Sequence, residues 1–119
     1  MASHNNLGIK GEELAVDFLL KNGYKILEKN WRYQKAEVDI IASKDNTLAV
    51  VEVKTRSTDY FGNPQDFVNA KKIGLLVTAI NEYVISKNLD VEVRFDIIAI
   101  INSQNKVKIN HITDAFLHF

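Results

Sequence analysis

Two strand-like runs, Ala36–Ala42 and Thr47–Thr55, lie on either side of Asp45-Asn46. Asx residues tolerate positive φ, so this pair suits a two-residue hairpin loop, and a loop of that length fixes the register by counting. Asp39 then faces Glu52, and Glu37 faces Lys54. Side chains alternate with a period of two, so all four leave the same face, with opposed Cβ atoms about 4.5–5.5 Å apart. Two carboxylates at that distance repel unless a cation lies between them or one takes up a proton. The hairpin therefore points to a divalent metal site on a sheet, with a lysine two positions along from one ligand.

The metal chemistry follows from the donors. A hard cation such as Mg²⁺ or Mn²⁺ prefers oxygen ligands and keeps several waters, so Asp39, Glu52 and the backbone carbonyl of Val53 make an incomplete cage. In such a site Lys54 steadies an attacking water or the charge developing on a phosphate, and Glu12 orients the water or helps a second metal. Read without a ligand, the same face is a solvated hairpin with a Glu37–Lys54 ion pair. That reading leaves Asp39 opposite Glu52 unexplained.

The rest of the chain supplies a frame. Residues 1–7 are polar and read as a frayed end. Leu14, Ala15, Phe18 and Leu19 form one stripe of a helix over Gly8–Asn22, with Glu12 at its rim, Glu13 toward water and Gly11 allowing close approach to a sheet. Gly23 ends that helix. Tyr24–Tyr33 reads as a less regular first strand. Asn63-Pro64-Gln65-Asp66 has the signature of a helix start, and Ile73, Leu76, Val77, Ile80 and Val84 carry that helix to about Lys87. Val91–Ile101 is a long strand, and Lys106–His111 a short last one, followed by Thr113-Asp114 at a terminal turn of helix. The order αβββαββ, without repeats or linkers, describes one α/β (α+β) domain over residues 1–119, a mixed central sheet flanked by helices.

Composition narrows the function classes. With no cysteine in 119 residues, disulfides and thiolate metal or redox sites are excluded. No apolar run reaches the ~18 residues of a membrane span, and Met1–Lys10 lacks the apolar stretch of a secretory signal, so a cytoplasmic protein without membrane contact is expected. Fifteen basic residues balance fifteen acidic ones, so a nucleic-acid partner needs a local patch, for which Lys54, Arg56, Lys71 and Lys72 are candidates. Lys71-Lys72 also fits a wet helix face. Gln65 is either a substrate contact or an ordinary polar residue of a helix start. Trp31, Arg32 and Tyr33 suit base stacking or a half-buried aromatic strand. Arg94 and Asp96 share a strand face as a structural pair. His4, His111 and His118 are scattered and receive no metal role.

The spacing Glu52-Val53-Lys54 after Asp39, with Glu12 upstream on a helix, resembles the PD-(D/E)XK nuclease superfamily. Gly11-Glu12, Gly23-Tyr24, Asn30-Trp31-Arg32, Glu37-Val38-Asp39-Ile40-Ile41-Ala42, Val51-Glu52-Val53-Lys54-Thr55-Arg56, Phe61-Gly62, Arg94-Phe95-Asp96 and Ala115-Phe116 resemble the bacterial YraN-like family over nearly the whole chain. One departure is Ala36, where that family usually has glycine. The family is similar to archaeal Holliday junction resolvases. The resemblance implies a restriction-endonuclease-like fold, a Mg²⁺- or Mn²⁺-dependent endonuclease acting on DNA, with branched or recombination-intermediate DNA suggested by analogy, and a homodimer. Catalytic roles then fall on Glu12, Asp39, Glu52 and Lys54. Two other classes compete: a noncatalytic nucleic-acid-binding module with a nuclease fold, and a protein-interaction domain whose acidic face binds a basic segment.

Overall fold

In a computed structural model the chain is described over residues 3–56, 69–103 and 106–115. The elements are α1 (Ser3–Lys21), β1 (Lys25–Tyr33), β2 (Ala36–Lys44), β3 (Thr47–Arg56), α2 (Ala70–Ser86), β4 (Glu92–Ser103) and β5 (Lys106–Ile112). They follow the expected order. The five strands lie in one sheet in sequence order, antiparallel except for the parallel pair β3–β4. A parallel pair needs a crossover, and α2 lies in this one. Among the described residues no helix is long and apolar enough to cross a membrane.

Each face of the sheet has its own core. Leu19 and Ala15 of α1 pack on Ile40, Ala42, Ala49, Val51, Ile98 and Ile100. Leu76, Ile80 and Tyr83 of α2 pack on Val38, Ile41, Leu48, Val50, Phe95 and Ile97. The central strands are therefore apolar on both sides, as strands covered by helices on both faces must be.

Helix α1 starts earlier than its sequence suggested, at Ser3 instead of Gly8. The segment before Gly8 is polar but holds no proline or glycine, and polar residues cost a helix far less than either. Its end is as expected. Gly23 takes φ 88, Gly23 N–H bonds to the Leu20 carbonyl and Tyr24 N–H to the Leu19 carbonyl, which is a Schellman cap. Helix α2 starts at Ala70, capped by Asn69, whose side chain accepts from the Lys72 amide at 2.8 Å. A continuous helix from Asn63 is thus ruled out at Asn69, which is extended; Asn63-Pro64-Gln65-Asp66 themselves lie outside the described residues. The sequence pattern places the N-cap at Asn63; the cap of α2 is Asn69, which carries the same capping side chain.

Candidate metal and phosphate site

The site is built on β2 and β3, and its register is the one counted from the hairpin. Asp45 takes φ 55 in the turn, and the ladder runs from Lys44–Thr47 to Ile40–Val51. One further step places Asp39 opposite Glu52. The regular ladder stops there, however. The Val53 amide donates to Asp39 Oδ2 at 2.8 Å, so a side chain stands where the next backbone acceptor would be. In a strand the N–H and C=O of one residue point to the same side, so the Val53 carbonyl opens toward the same gap.

A break in side-chain alternation lies at Asp39. Val38 belongs to the α2-side core and Ile40 to the α1-side core, although residues two apart on a regular strand share a face. On β1 the pairs Lys29–Ile40 and Trp31–Val38 bracket this position, and between them Asn30 takes φ 52. Irregularities of this kind re-aim side chains. Here Asp39, Glu37 and Glu52 open into one cavity of about 350 Å³, with Lys35, Ala36, Asn69, Lys71, Lys72, Leu75 and Leu76 completing its lining. Ala36 is buried in that wall.

Glu52 is only 3% exposed. Its Oε2 accepts from Lys72 Nζ at 2.8 Å, while its buried Oε1 has no hydrogen-bond partner. Burial pushes the Glu52 carboxyl above its ordinary range and the Asp39 charge pushes it further, against the pull of Lys72 and Lys54. Asp39 is also raised, by burial, against the Val53 amide and the charges of Lys72 and Lys54. Lys54 therefore acts electrostatically on both acids. Among the described residues no three acidic, histidine or cysteine side chains gather as a complete metal-binding group. An ion here would rest on Asp39, Glu52, the Val53 carbonyl and water. The donor set fits a hard cation, and the orphaned Glu52 oxygen is a ready ligand.

Other expected site residues divide. Glu12 is raised by burial and then by the Asp39 charge, with an Asn30 hydrogen bond opposing. It is thus close enough to feel Asp39. Yet it lines a separate cavity on the α1 side with Glu13, Val16, Asp17, Lys29, Asn30 and Ile40, so it borders the acid pair from behind and not in the same cleft. Glu37 forms its ion pair with Arg32 of β1 at 2.7 Å, where the sequence suggested Lys54, because Arg32 and Glu37 are direct cross-strand partners. Lys71 lines the cavity, as does Lys72, and the wet-face reading fails for Lys72, which reaches a buried acid. Arg56 ends β3 and is exposed. Gln65 lies outside the described residues. Lys35 was not singled out from the sequence, and only its place in the turn after β1 brings it to the cavity.

Residues 11–100 match the model of the uncharacterised protein family UPF0102. The chain belongs to UPF0102. The chain is 62% identical to a UPF0102 protein of Flavobacterium psychrophilum and 65% identical to one of Christiangramia forsetii, each over the full length of both chains. A UPF0102 protein of Parabacteroides distasonis is 47% identical over 98% of this chain and 96% of its own. The YraN-like resemblance holds at the level of this family. The matched span includes Glu12, Asp39, Glu52, Lys54 and Lys72, and so both strands of the site.

A second buried acid lies on the other face of β4. Asp96 is fully buried and accepts from Arg94 Nε and Nη2, from the Asp114 amide, and shares a hydrogen with His111 Nε2 at 2.8 Å. Arg94 also donates to the Tyr24 hydroxyl at 2.6 Å. The structural Arg94–Asp96 pair is present as expected. His111 joins it through the β4–β5 register, which pairs it with Ile98 and which its isolated place in the sequence did not reveal.

Proposed function

We propose that this UPF0102 chain is a divalent-metal-dependent nuclease of the PD-(D/E)XK kind, cleaving a phosphodiester of DNA, with branched or recombination-intermediate DNA as the first substrate class to try. The observation that carries the reading is the Asp39–Glu52 pair: two inward carboxylates, both raised by burial, one with a buried oxygen that bonds to nothing. A pair like this is costly to a protein that never neutralises it. Asp39, Glu52 and the Val53 carbonyl would hold Mg²⁺ or Mn²⁺. When bound, the ion supplies Lewis-acid activation of water and of the scissile phosphate. Lys54, whose charge already bears on both acids, stabilises the negative charge that grows on the phosphate. Lys35 and Lys71 at the cavity hold backbone phosphates, supplying the local patch that a neutral chain requires. Glu12 sets the charge around Asp39 from the α1 side.

The test is cleavage of branched, flapped, duplex and single-stranded DNA with Mg²⁺ and with Mn²⁺, comparing wild type with Asp39→Asn and Glu52→Gln. Metal-dependent cutting that both substitutions abolish supports the reading. DNA binding with no cutting of any substrate would support a noncatalytic binding module in its place.

A further inference from the structure

The position of Lys72 is unusual in two ways. It lies in the first turn of α2, its amide bonded to the Asn69 cap, where the helix macrodipole disfavours a cation and favours an anion. Its side chain is 37% exposed, yet its ammonium reaches the carboxylate of Glu52, which is 3% exposed. A surface lysine thus extends inward to a buried acid. It engages Oε2 alone and leaves Oε1 without a partner.

We propose that Lys72 is a cation latch: its ammonium holds the place of a divalent ion on Glu52, is displaced when the ion binds, and then takes a nucleic-acid phosphate at the start of α2. The latch rests on the metal-site reading above and adds a regulatory step to it. The backbone of Lys72 is fixed by the cap, so only the side chain moves, and a lysine is a flexible four-carbon stem with a point charge at its end. Glu52 loses nothing on the exchange, since a divalent cation replaces a monovalent one and can engage the unused oxygen as well. The released ammonium has Lys71, Lys35 and Asn69 beside it in the same cavity lining, a setting that suits a phosphate.

Two properties follow. Lys72 competes with the ion, so metal affinity in the absence of nucleic acid is held below that of the bare acid pair. Once the ion is bound, the freed lysine raises phosphate affinity. By linkage, DNA then raises metal affinity by the same factor.

The experiment uses the full chain. The lysine ammonium ¹⁵N resonances are recorded in metal-free buffer and through a Mg²⁺ titration, with Lys72 assigned by its loss in Lys72→Met. Mn²⁺ binding is measured by calorimetry on wild type and Lys72→Met. DNA affinity is measured with and without Ca²⁺ for both proteins. The latch predicts that the Lys72 resonance moves as Mg²⁺ binds. Lys72→Met should bind Mn²⁺ about tenfold more tightly or better, as removal of one competing charge at a half-buried site requires. Its gain in DNA affinity on adding Ca²⁺ should shrink. If Lys72→Met does not fold, Lys72→Gln replaces it, since a neutral amide still donates to Glu52. Mn²⁺ binding by wild type with an unmoved Lys72 resonance, or with equal or weaker Mn²⁺ affinity in the variant, overturns the latch and leaves the metal site standing. No Mn²⁺ binding by wild type or variant overturns the metal site, and the latch with it.

Discussion

Gly11 is a point of close approach between α1 and β3, and replacing it tests how the helix that carries Glu12 is held against the site. A Cβ on Gly11 would collide with Thr55 Oγ1 and lie 3.1 Å from Thr55 Cβ. The obstruction is a β-branched side chain on a central strand, so either α1 lifts or Thr55 leaves its rotamer. Such overpacking costs about 1–3 kcal/mol, while alanine returns up to about 1 kcal/mol of helix propensity. Because the overlap with Oγ1 is severe, the upper part of that cost applies, about 2–3 kcal/mol, and Gly11→Ala should destabilise the protein by about 1–2 kcal/mol net, or roughly 4–16 °C in Tm for a domain near 100 residues. Gly74 is the control. Inside α2, an added Cβ meets nothing within 4 Å, so Gly74→Ala should stabilise by up to about 1 kcal/mol. Urea unfolding of both single variants reads the difference as opposite shifts in midpoint at constant m. Thr55→Ala in the Gly11→Ala background removes Oγ1 and Cγ2 and should recover more than half of the loss. Gly11→Ala as stable as wild type, or a double variant no better than Gly11→Ala, would refute direct contact between α1 and Thr55 as the reason for this glycine.

The remaining predictions concern charge. Asp39→Asn should stabilise the metal-free protein by about 1 kcal/mol, because it removes a half-buried like charge from beside Glu52 at the cost of some attraction to Lys72 and Lys54; thermal melts in chelator and in Mg²⁺ check this, and the Mg²⁺-dependent gain should vanish in the variant. Since the folded-state carboxyls of Asp39 and Glu52 are raised above their ordinary values of 3.8 and 4.5, their contribution is favourable in acid and is lost as pH rises through the raised values, and saturating Mg²⁺ should flatten that slope. Asp96 has the opposite sign: burial raises it, but hydrogen bonds from His111, Arg94 and the Asp114 amide outweigh burial and hold it below 3.8, so its stabilisation is present above pH 3.8 and is lost as pH falls through the lowered value. Asp96→Ala, which leaves Arg94 beside a hole, should cost about 3–5 kcal/mol in urea unfolding at neutral pH. Lys54→Ala should reduce the cleavage rate far more than DNA affinity, whereas Lys71→Ala should weaken DNA binding and flatten its salt dependence; equal cleavage by wild type and Lys54→Ala would remove Lys54 from the mechanism.

Much of this fold could be read because local signals and packing agree. The Asp45-Asn46 turn set a register that the ladder keeps down to Ile40–Val51, Gly23 marked a Schellman cap, and the spacing of Leu76, Ile80 and Val84 placed one face of α2. What was not legible depends on distant partners. A period of two put Glu37, Asp39, Glu52 and Lys54 on one face, but it cannot foresee that the ladder ends at Ile40 or that β1, through Asn30, allows the alternation to slip at Asp39. For the same reason Glu37 could not be assigned to Arg32 without the register of β1, whose strand carries a bulge between Ile26 and Glu28. Lys72, four residues before Leu76, lies on the face that the apolar spacing turned toward the sheet, but its pairing with Glu52 depends on how α2 packs over β3, which no local signal reveals.

The two buried acids together show why the Asp39–Glu52 pair is read as a site and Asp96 as part of the frame. Both Glu52 and Asp96 lie on central strands and are almost wholly buried, so desolvation opposes the charge of each. Asp96 has answered this with donors: a forked arginine, a histidine and a backbone amide use both of its oxygens, and its carboxyl ends below the ordinary range. That is the pattern of a charge kept for structure, complete within the chain. Glu52 has one lysine on one oxygen, nothing on the other and a second acid opposite, and its carboxyl ends above the ordinary range. The same chain that surrounds one carboxylate with donors leaves the other short of them beside a cavity lined by further lysines. On the proposed reading a bound cation would satisfy the free oxygen and the repulsion at once, which a further hydrogen-bond donor on Glu52 alone would not do.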